Sequence, residues 1–197
     1  MYPRAIEKLI QGFAKFPGVG ERAAERYVFH LLKSGKKDVA ELAYTLKQLF
    51  ETIKSCEICW NFADTSPCAI CTDKKRDSTL LCVVENSQSL EAIERLGTYT
   101  GKYHVLRGVM KVEDEKSLTK LKIQELLLRI QKENTKEVIL SLNPDIHGET
   151  TMMYLERRIK KEYPDTKISR LARGLPMGGD LQYADEITLQ NALKNRQ

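Results

Sequence analysis

Residues 56–71 read CEICWNFADTSPCAIC, and this stretch divides the chain into two parts with different sequence patterns. It contains two Cys-x-x-Cys pairs, and Pro67 lies directly before the second pair, where it favours a turn. Two such pairs joined by a short loop can surround one ion with a closed tetrahedral shell. A redox motif needs only one pair, so a structural metal site is favoured over redox chemistry or a chance cluster of thiols. We therefore expect one structural zinc ion, with these ligands: Cys56, Cys59, Cys68 and Cys71.

The composition is that of an ordinary folded protein. The chain has 197 residues, of which 42% are hydrophobic and 30% charged, enough for one sizeable core and a small module. No segment approaches the roughly 20 apolar residues of a membrane span, and the first residues lack the pattern of a secretion signal. We expect a cytoplasmic protein with reduced cysteines and no membrane contact.

Residues 1–55 show the spacing of amphipathic helices. Apolar side chains recur at helical intervals within residues 3–15, 21–33 and 39–53, and proline or glycine separates these segments. The net charge of the chain is +5 at pH 7, and most of the basic excess lies in this N-terminal part. Such a surplus suits a polyanionic partner.

The turn between the first two helices contains two glycines. It reads FPGVG from residue 16 to residue 20, so Gly18 and Gly20 allow a ligand to approach the backbone where the second helix begins. Arg22 and Arg26 share one face of that helix, where they can contact adjacent phosphates. The alternative is an ordinary helical hairpin with two solvated arginines. The pattern also resembles the helix-hairpin-helix module, which binds DNA backbones without reading sequence, and this favours a DNA contact.

After the cysteines, the sequence alternates between strands and helices. This alternation predicts an α/β fold with a mainly parallel sheet buried between helices, with ligand sites at the carboxyl ends of the strands. The tail from residue 174 reads as a glycine-rich loop and a helix at 185–193. The predicted strands are 80–85, 103–106, 137–142 and 167–171, and the predicted helices are 87–96, 120–133 and 149–163.

Carboxylates follow two of the predicted strands. Glu85 ends the first, and LSLNPDIHGE at residues 140–149 ends a later one. The second stretch is similar to the acidic signature of Toprim domains, which bind magnesium for phosphoryl chemistry. Here Asn143 replaces the first aspartate of that signature, while Asp145 and Glu149 match the later acids. A neutral asparagine is a poorer ligand for Mg²⁺, so metal affinity should fall.

The order of these parts resembles the RecR family of bacterial recombination proteins. The resemblance covers essentially the whole chain, and its most specific pieces are the cysteine stretch, CVVE at 82–85, YHVLRG at 103–108 and the tail at 172–189. The chain departs from the usual family pattern at Asp145 and His147, where threonine and glutamate are more typical. The corresponding domains are a helix-hairpin-helix module at 1–55, a zinc finger at 56–78, a Toprim-like domain at 79–173 and a C-terminal subunit contact at 174–197.

The family resemblance implies a protein without enzymatic activity or a small-molecule substrate. It would act with RecO, and in many bacteria RecF, to load RecA onto gapped single-stranded DNA. Subunits would form a homo-oligomer, a dimer or a tetrameric ring, in which Arg22 and Arg26 face DNA. RecO would approach Glu149, and also Glu85 and Asp145. The residues alone leave two other classes open: a magnesium-dependent Toprim nuclease or primase, and a protein adaptor that never contacts DNA.

Overall fold

The computed structural model shows two compact units, Met1–Ile53 and Lys54–Gln197, and each is described by itself below. Arg173 and two residues of the predicted glycine-rich loop, Pro176 and Gly179, lie outside the described residues. The described residues are 2–111, 113, 117–172, 174–175, 177–178, 180–194 and 196.

Three helices form the first unit: α1 (Arg4–Phe13), α2 (Glu21–Ser34) and α3 (Lys36–Thr52). Only Gly35 separates α2 from α3, and its φ of +90° provides the change of direction, so α3 begins before the predicted residue 39. Aromatic contacts join the start of the chain and α1 to α2. Tyr2 meets Phe29 with ring centroids 5.3 Å apart, and Phe13 meets Tyr27 at 5.9 Å.

The second unit opens with a small four-cysteine module. Strands β1 (Lys54–Ser55) and β2 (Phe62–Ala63) pair antiparallel, and the short helix α4 (Ala69–Thr72) follows the second cysteine pair. These elements bring the two Cys-x-x-Cys turns face to face.

The rest of the second unit is an α/β domain around a four-stranded parallel sheet with the order β4-β3-β5-β6. Its first strand is central, so the chain turns to opposite sides of it after α5 and after α7. Its elements are β3 (Asp77–Val84), α5 (Ser87–Glu94), β4 (Gly101–Val105), α6 (Ser117–Lys120), α7 (Ile123–Glu133), β5 (Glu137–Ser141), α8 (Ile146–Glu162) and β6 (Lys167–Arg170).

The two faces of the sheet have separate cores because side chains alternate along each strand. On one face, Leu81 and Val83 of β3 belong to a buried cluster with residues of α7 and α8. On the other face, Cys82 and Val84 pack with Leu90 of α5 and with side chains of the cysteine module. The sheet is therefore covered on both faces, and the predicted fold class is confirmed.

Two helices of this domain begin at residues that are set by hydrogen bonds rather than by the spacing of apolar side chains. Helix α7 starts at Ile123 and not at residue 120, because Lys122 is non-helical and its N–H donates to the Leu106 carbonyl at 2.9 Å. Helix α8 starts three residues before the predicted Glu149, because the Asp145 carboxylate accepts from Gly148 N at 2.8 Å and caps the helix.

The C-terminal segment contains a 3-10 turn (Leu181–Tyr183) and helix α9 (Glu186–Lys194), which has no buried residue among those described. Within the described part of the chain, no helix is both long enough and apolar enough to cross a membrane.

Candidate zinc centre and nucleic-acid interface

The four cysteines of the second unit converge on one point. Their sulfur atoms lie within 4.8 Å of one another, and all four residues are buried. The Cys56 and Cys71 sulfurs are 3.9 Å apart, and those of Cys59 and Cys68 are 3.5 Å apart. Zn–S bonds of about 2.3 Å in a tetrahedron put neighbouring sulfurs about 3.8 Å apart. The cluster therefore fits a zinc ion, and the predicted structural zinc site is confirmed.

The backbone around the cysteines holds both turns in place. Cys56 accepts a hydrogen bond from Trp60 N through its carbonyl oxygen at 2.9 Å, and its sulfur accepts one from Cys68 N at 3.4 Å. N–H donors directed at a metal-bound sulfur stabilise its negative charge. This N–H–sulfur contact links the second cysteine pair to the first.

Hydrogen bonds among the thiols shift the pKa values of Cys59, Cys68 and Cys71 in different directions. The bond with Cys59 lowers the pKa of the Cys68 thiol, and hydrogen bonds within the same cluster raise the pKa values of Cys59 and Cys71. Four buried thiolates cannot coexist without a cation, so zinc must displace the remaining protons when it binds.

The zinc module is attached to the edge strand of the sheet. Val105 N, at the end of β4, donates to the Cys59 carbonyl at 2.8 Å, and Lys102 Nζ lies 3.4 Å from the Cys71 carbonyl. Trp60 and Ile70 pack into the core beneath α5. Loss of the metal would therefore disturb one face of the α/β domain as well as the module.

In the first unit, the predicted glycine turn is open to an approaching backbone. Gly20 precedes α2 without a side-chain cap, and Gly18 has a φ of +77°, which favours glycine. A Cβ atom built at either glycine would meet nothing within 4 Å. The first N–H groups of α2 have no acceptor within the helix and can meet an anion.

Both predicted arginines lie on the exposed side of α2. Ala24 and Val28 form its buried side, while Arg22 and Arg26 are exposed. Neither arginine has an ion-pair partner among the described residues. Glu25, the acidic residue beside Arg26, instead accepts a hydrogen bond from the Tyr2 hydroxyl. The hairpin therefore presents two exposed arginines, without ion-pair partners among the described residues, on the helix whose first N–H groups have no acceptor within it.

The predicted carboxylates lie at the carboxyl edge of the sheet, but each already has a protein partner. Asn143 Nδ2 donates to Glu85 Oε2 at 3.0 Å. Asp145 caps α8, and Arg170 Nη1 lies 3.2 Å from Glu149 Oε2. Burial, and then the charge of Asp145, raises the pKa of Glu85. Within the described residues, the four cysteines are the only group of three or more His, Cys, Asp or Glu side chains close enough to share one metal ion.

Sequence reasoning missed Arg170, because nothing in its local pattern shows what it contacts. Its guanidinium bridges Glu149 and Glu156 of α8, the latter at 3.0 Å. The parallel pairing of β5 and β6 brings this arginine alongside α8, which only the sheet order reveals.

Family comparisons match the same parts in the same order. Residues 6–50 match the RecR helix-hairpin-helix, and residues 53–73 match the RecR four-cysteine zinc finger domain. Residues 79–172 match the Toprim domain, and residues 174–197 match the RecR C-terminal family.

Relatives with the name recombination protein RecR align with nearly the whole chain. One from an Anaeromyxobacter species is 42% identical over 191 residues, which cover 97% of this chain and 96% of the relative. One from Clostridium perfringens is 43% identical, with 99% and 97% covered. One from Syntrophobacter fumaroxidans is 44% identical, with 100% and 96% covered. With the zinc-binding cysteines, the hairpin and the Toprim sheet in this order, the chain belongs to the RecR family of recombination proteins.

Proposed function

We propose that this protein is a DNA-binding clamp without enzymatic activity that acts in recombinational repair. It works with RecO, and with RecF where that protein is present, to promote RecA loading on gapped single-stranded DNA. The observation that carries this proposal is the near full-length relation to proteins named recombination protein RecR. DNA as the partner also favours the cytoplasm as the place of action.

Four residues of the hairpin support a DNA contact through the backbone. Arg22 and Arg26 provide charge for two phosphates, and the turn at Gly18 and Gly20 allows a phosphate to approach the N–H groups of α2. None of these groups distinguishes one base from another, so binding is expected to be independent of sequence and sensitive to salt.

The carboxyl edge of the sheet supports a role without phosphoryl chemistry. A Toprim metal site needs several carboxylate oxygens directed at one ion. Here an amide N–H from Asn143 is directed at the Glu85 carboxylate, in the place where a shared cation would bind. Asp145 is occupied as a helix cap.

The second candidate function is a magnesium-dependent Toprim nuclease or primase, and the same acidic residues favour it. Glu85, Asp145 and Glu149 lie at one edge of the sheet, and the raised pKa of Glu85 partly reflects the charge of Asp145. Incubation of labelled DNA and RNA with the protein and Mg²⁺ separates the two candidates. We expect no product, whereas a product that disappears in Glu85→Gln would establish the enzyme.

Exposed apolar side chains support a homo-oligomer, either a dimer or a tetrameric ring. Among the described residues of the first unit, only Ala24 and Val28 are buried, which is a very small core for three helices. Leu46, Leu49 and Phe50 of α3 are exposed, as are several apolar residues of the C-terminal segment. Large exposed apolar surfaces mark interaction sites. Mass measurement in solution, with and without DNA, gives the number of subunits.

Each part of the chain has its own role in this proposal. In this proposal, 1–55 binds DNA, 56–78 holds zinc, 79–173 receives RecO beside Glu149, Glu85 and Asp145, and 174–197 contacts another subunit. The test is RecA filament assembly on gapped DNA coated with single-strand-binding protein. Assembly should accelerate only when RecO and this protein are both present. No acceleration with RecO, alone or with RecF, would refute the loading role.

A further inference from the structure

A cleft of about 660 Å³ lies at the carboxyl ends of β3 and β4, beside the acidic edge. Its walls include Phe62 of the zinc module, the first residues of α5, and Arg95, Arg107 and Gly108. A volume of this size accommodates a nucleotide. The cleft opens at the carboxyl ends of parallel strands, the side of an open α/β sheet on which ligands bind, and it borders the central strand β3.

Arg107 is held in one position at this cleft. Its guanidinium lies 3.8 Å from the centroid of the Phe62 ring, and its Nη2 donates to Ser55 Oγ at 2.8 Å. Its backbone has a φ of +67°, an uncommon conformation for a residue with a side chain. Two side-chain contacts and a fixed backbone reduce the conformational entropy that a ligand would otherwise have to remove.

The cleft has an excess of positive charge, which comes from Arg107. The other arginine, Arg95, is paired with Glu91 of the same helix at 3.1 Å. Arg107 has no carboxylate partner among the described residues. Glu85 directly precedes Asn86 of the cleft wall, but its carboxylate accepts a hydrogen bond from the Asn143 amide.

Phe62 adds a surface that suits a nucleobase. Phe62 is an exposed residue even though Arg107 covers part of its ring. An exposed aromatic ring beside a fixed guanidinium is a combination that binds single-stranded nucleic acid, through base stacking and phosphate contact together. A duplex would not offer an unstacked base to the ring.

We propose that this cleft binds one nucleotide of single-stranded DNA, with a phosphate on Arg107 and the adjacent base against Phe62. This inference rests on the proposed DNA-binding function and adds a second contact that is specific for single strands. The hairpin binds backbone phosphates of either form, whereas the cleft favours an unpaired strand.

The test compares full-length, zinc-loaded protein with two variants in binding to an oligo-dT strand at several salt concentrations. Arg107→Asn removes the guanidinium and tolerates the left-handed backbone. Phe62→Leu keeps the charge and removes the ring. Each should weaken single-strand binding about three- to tenfold, and Arg107→Asn should also reduce the salt slope by about 0.7, the value for one phosphate contact. Arg157→Gln, a change at an exposed arginine of α8 that does not line the cleft, is the matched control and should change neither quantity.

Crosslinking of DNA that carries 5-iododeoxyuridine gives a second readout. The inference predicts a crosslinked peptide that contains Phe62, with the crosslink lost in Arg107→Asn and kept in the Arg22→Ala/Arg26→Ala variant at concentrations that restore binding. If the parent protein binds DNA but both cleft variants bind as it does and no such peptide forms, the cleft inference is overturned and the hairpin function stands. Absence of any DNA binding would overturn both.

Competition experiments show whether the cleft binds a phosphate of DNA, a free nucleotide or an acidic peptide. Deoxythymidine monophosphate at the same nucleotide concentration should not displace the oligonucleotide. Its binding at Arg107 in preference to DNA, or displacement of DNA from the cleft by an oligoglutamate peptide, would contradict the inference.

Discussion

Asn143 directs its side-chain amide at the Glu85 carboxylate, with Nδ2 3.0 Å from Oε2. Two residues that are 58 positions apart thus form a hydrogen-bonded pair, with a neutral amide facing the Glu85 carboxylate, where a Toprim enzyme would place two carboxylates around magnesium. The pair relieves the charge of Glu85 without a cation.

Asn143→Asp should convert this pair into a weak metal site. Without metal, the variant loses a hydrogen bond and places two carboxylates together, which costs about 1–2 kcal/mol of folding stability. Millimolar Mg²⁺ should raise its melting temperature, because a cation that binds only the folded state stabilises it. Asn143→Ala loses the same hydrogen bond without adding a ligand and should not respond. Equal Mg²⁺ responses in both variants would refute this account of the site.

Zinc content should depend on Cys68 and not on Cys82. Cys68→Ser removes a ligand from a closed site and should lower stability by at least about 3 kcal/mol, with loss of bound zinc. Cys82 is also buried, but its thiol donates to Ser141 Oγ at 3.2 Å, and burial raises its pKa to about 11. Cys82→Ala should therefore keep one zinc per chain. Elemental analysis of both purified variants measures the zinc content per chain. Retention of zinc by Cys68→Ser would exclude the four-ligand site.

His104 should make the protein less stable below neutral pH. The side chain is fully buried, its Nε2–H donates to the Lys122 carbonyl at 2.7 Å, and burial lowers its pKa to about 4. The unfolded histidine takes up a proton near pH 6.5, whereas the folded one stays neutral until about pH 4. Stability is therefore complete above pH 6.5 and is lost as the pH falls towards 4.

The size of this effect is about 2 kcal/mol at pH 5. Urea unfolding at pH 7 and pH 5 measures it, and His104→Gln serves as the control because an amide can donate to the same carbonyl without titrating. The parent protein should lose about 2 kcal/mol more than the variant between the two pH values. Equal losses would show that His104 is not the group responsible.

Gly148 should tolerate no side chain. A Cβ atom at this position would lie 2.0 Å from the Asn143 carbonyl oxygen, so the backbone of the acidic edge would have to move. Gly148→Ala should cost at least about 2 kcal/mol. Gly12 of α1 has open space around it, and Gly12→Ala should stabilise that helix by up to about 1 kcal/mol. Thermal unfolding of the two variants should thus shift in opposite directions.

Local patterns in the sequence account for much of this fold. Cysteine spacing predicts the zinc site, because its ligands lie within 16 residues and turn chemistry alone brings them together. The alternation of apolar strand segments with helical patterns predicts β3, β5 and the helices between them. A strand that is buried on both faces of a parallel sheet is recognisable because it forms a nearly continuous apolar run. The start of α2 follows from the glycines at its N-terminus.

Pairings between distant residues could not be predicted from the sequence. Nothing near Asn143 indicates that its amide binds Glu85, and nothing near Arg107 indicates that it stacks on Phe62. Each pairing depends on the strand order and on how the zinc module attaches to β4. The spacing of apolar residues also does not show where α7 starts, because that start depends on the hydrogen bond from Lys122 N to the distant Leu106 carbonyl.

The most direct test of the proposed DNA-clamp function is the salt dependence of DNA binding by the hairpin. We expect the logarithm of the binding constant for duplex DNA to fall linearly with the logarithm of salt concentration. Arg22→Ala/Arg26→Ala should weaken binding and reduce that slope by about 1.8, the value for two lost duplex phosphates. Arg157→Ala, a change at an exposed arginine of α8, should leave both unchanged. Unchanged affinity and slope in the double variant would contradict the account.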